Sequence, residues 1–81
     1  MKINVKLFAV VREIARASEL SVDLPAGSPA ASVLESLLRS YPLLRPYEGY
    51  LRIAVNNDYV DGAHLLHEND EVAVIPPVSG G

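Results

Sequence analysis

The chain has 81 residues, no cysteine and a formal net charge of −3, from 7 Lys and Arg against 10 Asp and Glu. A chain of this length forms one small domain that buries roughly 60 to 65% of its unfolded surface, too little for a deep catalytic pocket beside a core, and without a thiol it has no disulfide, thiolate metal site or cysteine nucleophile. The acidic balance argues against nucleic acid as a partner; the longest apolar run, Leu7 to Val11, falls far short of the roughly 20 residues of a membrane span, and with no secretory signal at Met1 a cytoplasmic location is expected.

Ile3, Val5 and Leu7 alternate with Asn4, Lys6 and Phe8, the period of two of a strand with one buried face. Ala9 to Ala17 has helix-forming composition with Val10, Val11, Ile14 and Ala15 at helical spacing, which predicts one or two turns of helix. Leu20, Val22 and Leu24 alternate with Ser21 and Asp23 until Pro25-Ala26-Gly27 breaks the pattern, a second strand antiparallel to the first. Ser28-Pro29 reads as a helix start, with Ser28 as N-cap and Pro29 at the first helical position. Val33, Leu34, Leu37, Leu38 and Tyr41 then form one apolar stripe, with Glu35, Ser36, Arg39 and Ser40 outside it, and the helix ends before Pro42. Pro42 to Gly49, with two prolines and a glycine, is expected to be an ordered surface loop. Leu51, Ile53 and Val55 predict a third strand, Asn56-Asn57-Asp58 a turn, Tyr59-Val60 a very short fourth strand, and Glu71 to Ile75 the last one.

This order predicts an α+β fold of the β-grasp, ubiquitin-like type: a mixed sheet of four or five strands packed on one main helix. The domain is expected to span residues 1–75, with residues 76–81 as an extended tail. In such a sheet the first and last strands lie side by side and parallel. Phe8 and Ile75 then project from the helix-free face, where Val60 is expected to join them, unless the short helix folds over Phe8. Clustered exposed apolar residues of this kind mark a protein interface. In the tail, Pro76 and Pro77 lead the chain away from the sheet, and Val78, Ser79, Gly80 and Gly81 end on a carboxylate with no neighbouring side chain. Such a tail fits a narrow channel in another protein, because glycine passes where a Cβ would clash.

The remaining candidates carry less. His64 and His67 stand three apart, but with no cysteine and no third ligand in view no metal site is expected. Arg12 and Glu13 read as an exposed helical ion pair. Tyr41, Tyr47 and Tyr50 bracket the proline-containing segment and are too few for a base-stacking platform.

Four segments in order, Leu7-Phe8-Ala9 with Arg12-Glu13, Ala54-Val55-Asn56 leading to Val60, Asp70-Glu71-Val72-Ala73, and Pro76-Pro77-Val78-Ser79-Gly80-Gly81, resemble the small, sulfur-carrying subunits of molybdopterin synthases. The resemblance runs from the first strand to the last residue. It implies a ubiquitin-like carrier, non-catalytic alone and binding no cofactor of its own. An adenylating enzyme related to ubiquitin-activating enzymes would use ATP and Mg²⁺ to activate the Gly81 carboxylate. A persulfide donor would then leave a thiocarboxylate there. The synthase's large subunit would receive the tail and use the sulfur to build the dithiolene of molybdopterin from cyclic pyranopterin monophosphate, in a heterotetramer. Phe8, Val60 and Ile75 match the family's apolar docking positions. Related β-grasp carriers serving thiamine or tRNA thiolation, or conjugated to lysines like ubiquitin, share the same features. So does an unmodified β-grasp interaction module, whose binding would survive deletion of Gly80 and Gly81. Pro-Pro-Val-Ser before the glycines and the Arg12-Glu13 segment favour the first.

Overall fold

Alternating apolar residues decide which face of each strand is buried, and the computed structural model, which describes residues 1–76, realises that alternation throughout one sheet. Its elements are β1 (Lys2–Leu7), α1 (Ala9–Ala15), β2 (Glu19–Asp23), α2 (Ala31–Ser40), a 3₁₀ segment (Pro42–Tyr50), β3 (Arg52–Val55), β4 (Asp58–Val60) and β5 (Glu71–Ile75). The five strands lie in the order β2-β1-β5-β3-β4. β1 and β5 run parallel at the centre, with Val5 opposite Val72 and Leu7 opposite Val74, and the other pairs are antiparallel. This is the expected α+β, β-grasp arrangement. The expectations for Pro77, Val78, Ser79, Gly80 and Gly81 lie outside the described residues.

Ile3, Val5 and Leu7 of β1, Val72 and Val74 of β5, and Ile53 and Val55 of β3 are buried on one face of the sheet. Against them pack Val33, Leu37 and Leu38 of α2, the residues of the predicted stripe. Val11 of α1 and Leu66 close the margins of this core. α1 ends at Arg16, whose φ of 56° reverses the chain toward β2.

Two local expectations are corrected. Ser28 does not cap α2, which begins at Ala31 with Ala30 before it and no side-chain cap. The reason lies in a distant segment: Pro29 bridges Leu65, the Ala30 N–H donates to the His64 carbonyl at 2.7 Å, and the Ala31 N–H donates to the Gly62 carbonyl at 3.0 Å. The first orphan donors of the helix are thus satisfied by backbone carbonyls. Ser28 turns away and donates its hydroxyl to the Pro25 carbonyl at 2.7 Å. At this crossing a Cβ on residue 62 would meet the Ala31 Cβ at 3.2 Å, so any larger residue there requires Ala31 to give by a few tenths of an ångström.

The second correction concerns the proline-containing segment, expected as a loop. It is a 3₁₀ run with Pro42 in its first turn and Pro46 inside it. Leu44 is fully buried beneath it, whereas neighbouring Leu43 is 74% exposed. The one buried side chain holds the segment to the core. Replacing Leu44 by Ala is expected to cost about 2 to 5 kcal/mol, and replacing Leu43 by Ala no more than about 0.5 kcal/mol; urea unfolding of the two variants measures the contrast, and similar losses from both would remove the anchoring role of Leu44.

Candidate docking face

The strand register that buries Val72, Val74, Ile53 and Val55 sends their neighbours to the opposite, helix-free face. Lys6 stands opposite Ala73, Ala73 opposite Ala54, and Ala54 opposite Tyr59, so one row of side chains crosses the sheet from β1 to β4. Phe8, Ile75 and Tyr59 rise around this row. Together with Ala54, Ala73, Asn57 and the Lys6–Glu71 pair they line a groove of about 290 Å³. The small side chains of Ala54 and Ala73 form its floor.

α1 does not cover Phe8, which is 42% exposed. Phe8 directly precedes α1 in extended conformation, and Ala9 follows with φ of 50°. That positive φ, uncommon for a residue with a Cβ, turns the helix off the open face and leaves the phenyl ring beside the groove. Ile75, at the end of β5, is half-buried. The structure therefore brings Phe8 and Ile75 together as expected from their strand positions.

Val60 is not with them. It stands opposite Ile53, faces the helix side and lines a separate groove with Ala31, Leu34 and Leu51. The place it was expected to fill belongs to Tyr59, 68% exposed. The signal for this lay in the sequence. Asn56 and Asn57 have φ of 50° and 73°, the two central residues of a tight primed hairpin turn, for which Asn is suited. A two-residue turn sets Asp58 opposite Val55 and hence Tyr59 opposite Ala54, and a slip of one residue exchanges the faces.

The hairpin that carries Tyr59 is tied to the strand that carries Ile75 by Asn56. Its N–H donates to the Glu71 carbonyl at 2.8 Å, its side-chain carbonyl accepts the Glu71 N–H at 3.0 Å, and its Nδ2 donates to Asp70 at 3.0 Å. The other Asp70 oxygen accepts the His67 N–H at 2.8 Å. That bond, more than the Asn56 contact, holds the Asp70 carboxyl below the usual carboxylate range. At the rim, Lys6 Nζ and Glu71 Oε1 lie 2.8 Å apart. Their hydrogen bond raises the Lys6 ammonium and lowers the Glu71 carboxyl from their ordinary values. Both groups are exposed, so the pair orders the rim and adds little to stability. Among the described residues no three His, Asp or Glu side chains are grouped to hold a metal ion, and no helix is long and apolar enough to cross a membrane.

The ThiS family model matches residues 5–81. The molybdopterin synthase sulfur carrier subunit of Drosophila yakuba is 38% identical over 84 residues, spanning 100% of this chain and 92% of that one. Among solved structures, a putative molybdopterin converting factor, subunit 1, from Pyrococcus furiosus superposes with a TM-score of 0.85 at 30% identity, over 96% of this chain and 99% of that one. SAMP1 from Haloferax volcanii superposes with a TM-score of 0.84 at 27% identity, over 100% of both chains.

A carboxyl whose folded pKa is lowered stabilises the fold above its unfolded value, about 3.9 for Asp, and ceases to do so as pH falls through the folded value. Replacing Asp70 by Ala is therefore expected to cost about 1 kcal/mol at neutral pH, with the difference from the parent shrinking as the pH is lowered through that range. Urea midpoints of both proteins across that interval test it; a cost independent of pH would assign the loss to packing instead.

Proposed function

The chain belongs to the ThiS family, and on that footing we propose that it is the sulfur-carrier subunit of a molybdopterin synthase. The observation that carries the proposal is its full-length likeness to curated molybdopterin synthase sulfur carrier subunits, 38% identical in Drosophila yakuba. Among the described residues no charged side chain is buried and the apolar groove on the open sheet face is floored by alanines, which supports a carrier rather than a catalyst.

In this reading residues 1–75 are the docking domain and residues 76–81 the reactive tail. Pro76, half-buried after β5, has no N–H to continue the ladder and releases the chain from the sheet. The Gly81 carboxylate is a poor electrophile. A cytoplasmic adenylating enzyme, using ATP and Mg²⁺, converts it to an acyl adenylate, and a persulfide sulfur displaces AMP. A thiol then cleaves the sulfur–sulfur bond, leaving the thiocarboxylate on the chain. Pro76, Pro77, Val78, Ser79 and Gly80 thread this group into the large subunit, where it supplies sulfur to cyclic pyranopterin monophosphate. The product carries two sulfurs, so two charged carriers serve each one, consistent with a heterotetramer. Phe8, Ile75 and Tyr59 form the apolar surface that seats on each partner, with Val60 reaching the partner only at the sheet edge.

Two measurements test this. Incubation of the chain with the adenylating enzyme, ATP, Mg²⁺ and a persulfide donor is expected to raise its intact mass by the difference between sulfur and oxygen. The gain should vanish on deletion of Gly81, and no gain beside an active control carrier would overturn the assignment. For docking, Tyr59→Ala or Ile75→Asp is expected to weaken binding to the large subunit by about 2 kcal/mol, roughly thirtyfold, and Val60→Ala by less. Calorimetry that ranked Val60 above Tyr59 would return the interface to the helix side.

A further inference from the structure

β4 is an edge strand, and the register of its hairpin determines which of its backbone groups face outward. In an antiparallel pair, residues alternate between exchanging both hydrogen bonds and exchanging none. The two-residue turn makes Val55 and Asp58 a bonded pair, so Ala54 and Tyr59, the next pair, exchange none. Ala54 turns its N–H and carbonyl toward β5, in step with the Asn56 N–H that donates to Glu71. Tyr59 must turn its own toward the free edge, and among the described residues neither group has a backbone partner. The edge thus offers one donor and one acceptor at a single residue.

Apolar grooves flank that point on both sides. The open-face groove reaches Tyr59, and the groove of about 260 Å³ on the helix side reaches Val60 and Leu34. A strand laid along β4 alternates its side chains between them. Beside the other free edge, β2, the groove among the described residues is mainly polar, with Asp23, Ser28, Ser32, Glu35 and Arg39 beside Leu24 and Pro25. Charge selects the occupant. Asp58 and Asp61, both exposed, bracket the exposed backbone groups, and two copies meeting antiparallel at Tyr59 would set their two Asp58 carboxylates diagonally across from one another on the same face, which like charges disfavour.

We propose that the β4 edge is a docking line for an extended segment of a partner protein in the order basic, apolar, apolar, basic. Running antiparallel, its basic residues lie opposite Asp61 and Asp58, its first apolar residue enters the helix-side groove beside Val60, and its second pairs with Tyr59 and enters the open-face groove. Strand addition of this kind takes affinity from main-chain bonds and selectivity from alternate side chains.

The test uses the isotope-labelled full chain and the capped peptide Gly-Lys-Val-Val-Lys-Gly at millimolar concentration, followed by amide shifts and exchange protection. The expected result is a saturable change centred on Tyr59, with protection of its N–H. A peptide with proline in place of the second valine, which removes the donor to the Tyr59 carbonyl, should not produce it. Asp58→Lys combined with Asp61→Lys should weaken binding by roughly three- to tenfold. No shift at millimolar peptide would overturn the proposal, as would shifts centred on β2 or shifts insensitive to both the proline and the charge reversal. Shifts at β4 that grow with protein concentration alone would assign the edge to a second copy and overturn it equally.

Discussion

The parallel pairing of β1 with β5 is the constraint on which the rest of the molecule depends. It sets Val5 beside Val72 and Leu7 beside Val74, which makes the centre of the sheet the centre of the core. The same register brings the end of β1 to the end of β5. Phe8 and Ile75, far apart in the chain, therefore meet at one margin of the open face, next to the point where Pro76 leaves the sheet. An apolar surface at the root of the tail follows from the pairing that stabilises the core.

Much of this was legible in the sequence because periodicity reports burial directly. The alternations at Ile3-Val5-Leu7 and Val72-Val74 and the stripe Val33-Leu37-Leu38 gave the right elements and faces, since apolar burial dominates the energetics of so small a domain. What periodicity missed were features set by contacts between distant segments. Ser28 has the chemistry of an N-cap, but Pro29 and Ala30 are drawn into backbone bonds with Leu65 and His64, which satisfy the helix donors first. Leu43 and Leu44 are the same residue type side by side, and only the packing against α2 distinguishes the anchor from its exposed neighbour. Val60 and Tyr59 were separable in principle, because the hairpin turn fixes their register. The apolar character of Val60 pointed to an interface, whereas its partner Ile53 places it on the core side.

Polar groups here serve chiefly to fix position. Asn56 combines a left-handed backbone with three hydrogen bonds to Asp70 and Glu71, and so sets the hairpin against β5 without a buried charge. Lys6 and Glu71 do the same at the groove rim, where both side chains remain partly exposed to water. The arrangement keeps the groove's shape while leaving its floor apolar.

The strand order also governs how the fold assembles. β1–β2 and β3–β4 are each antiparallel neighbours in sequence, the first joined by a connection that carries α1 and the second by a two-residue turn. β5 alone joins them, pairing with β1 at one end of the chain and with β3 beyond the helix. Without β5 the two ribbons have no hydrogen-bonded contact with one another. Its arrival closes the largest loop in the domain, the step with the greatest entropic cost and the one that high contact order makes slow. Amide protons of β5, bonded on both sides within the sheet, are accordingly expected to exchange only when the sheet as a whole opens.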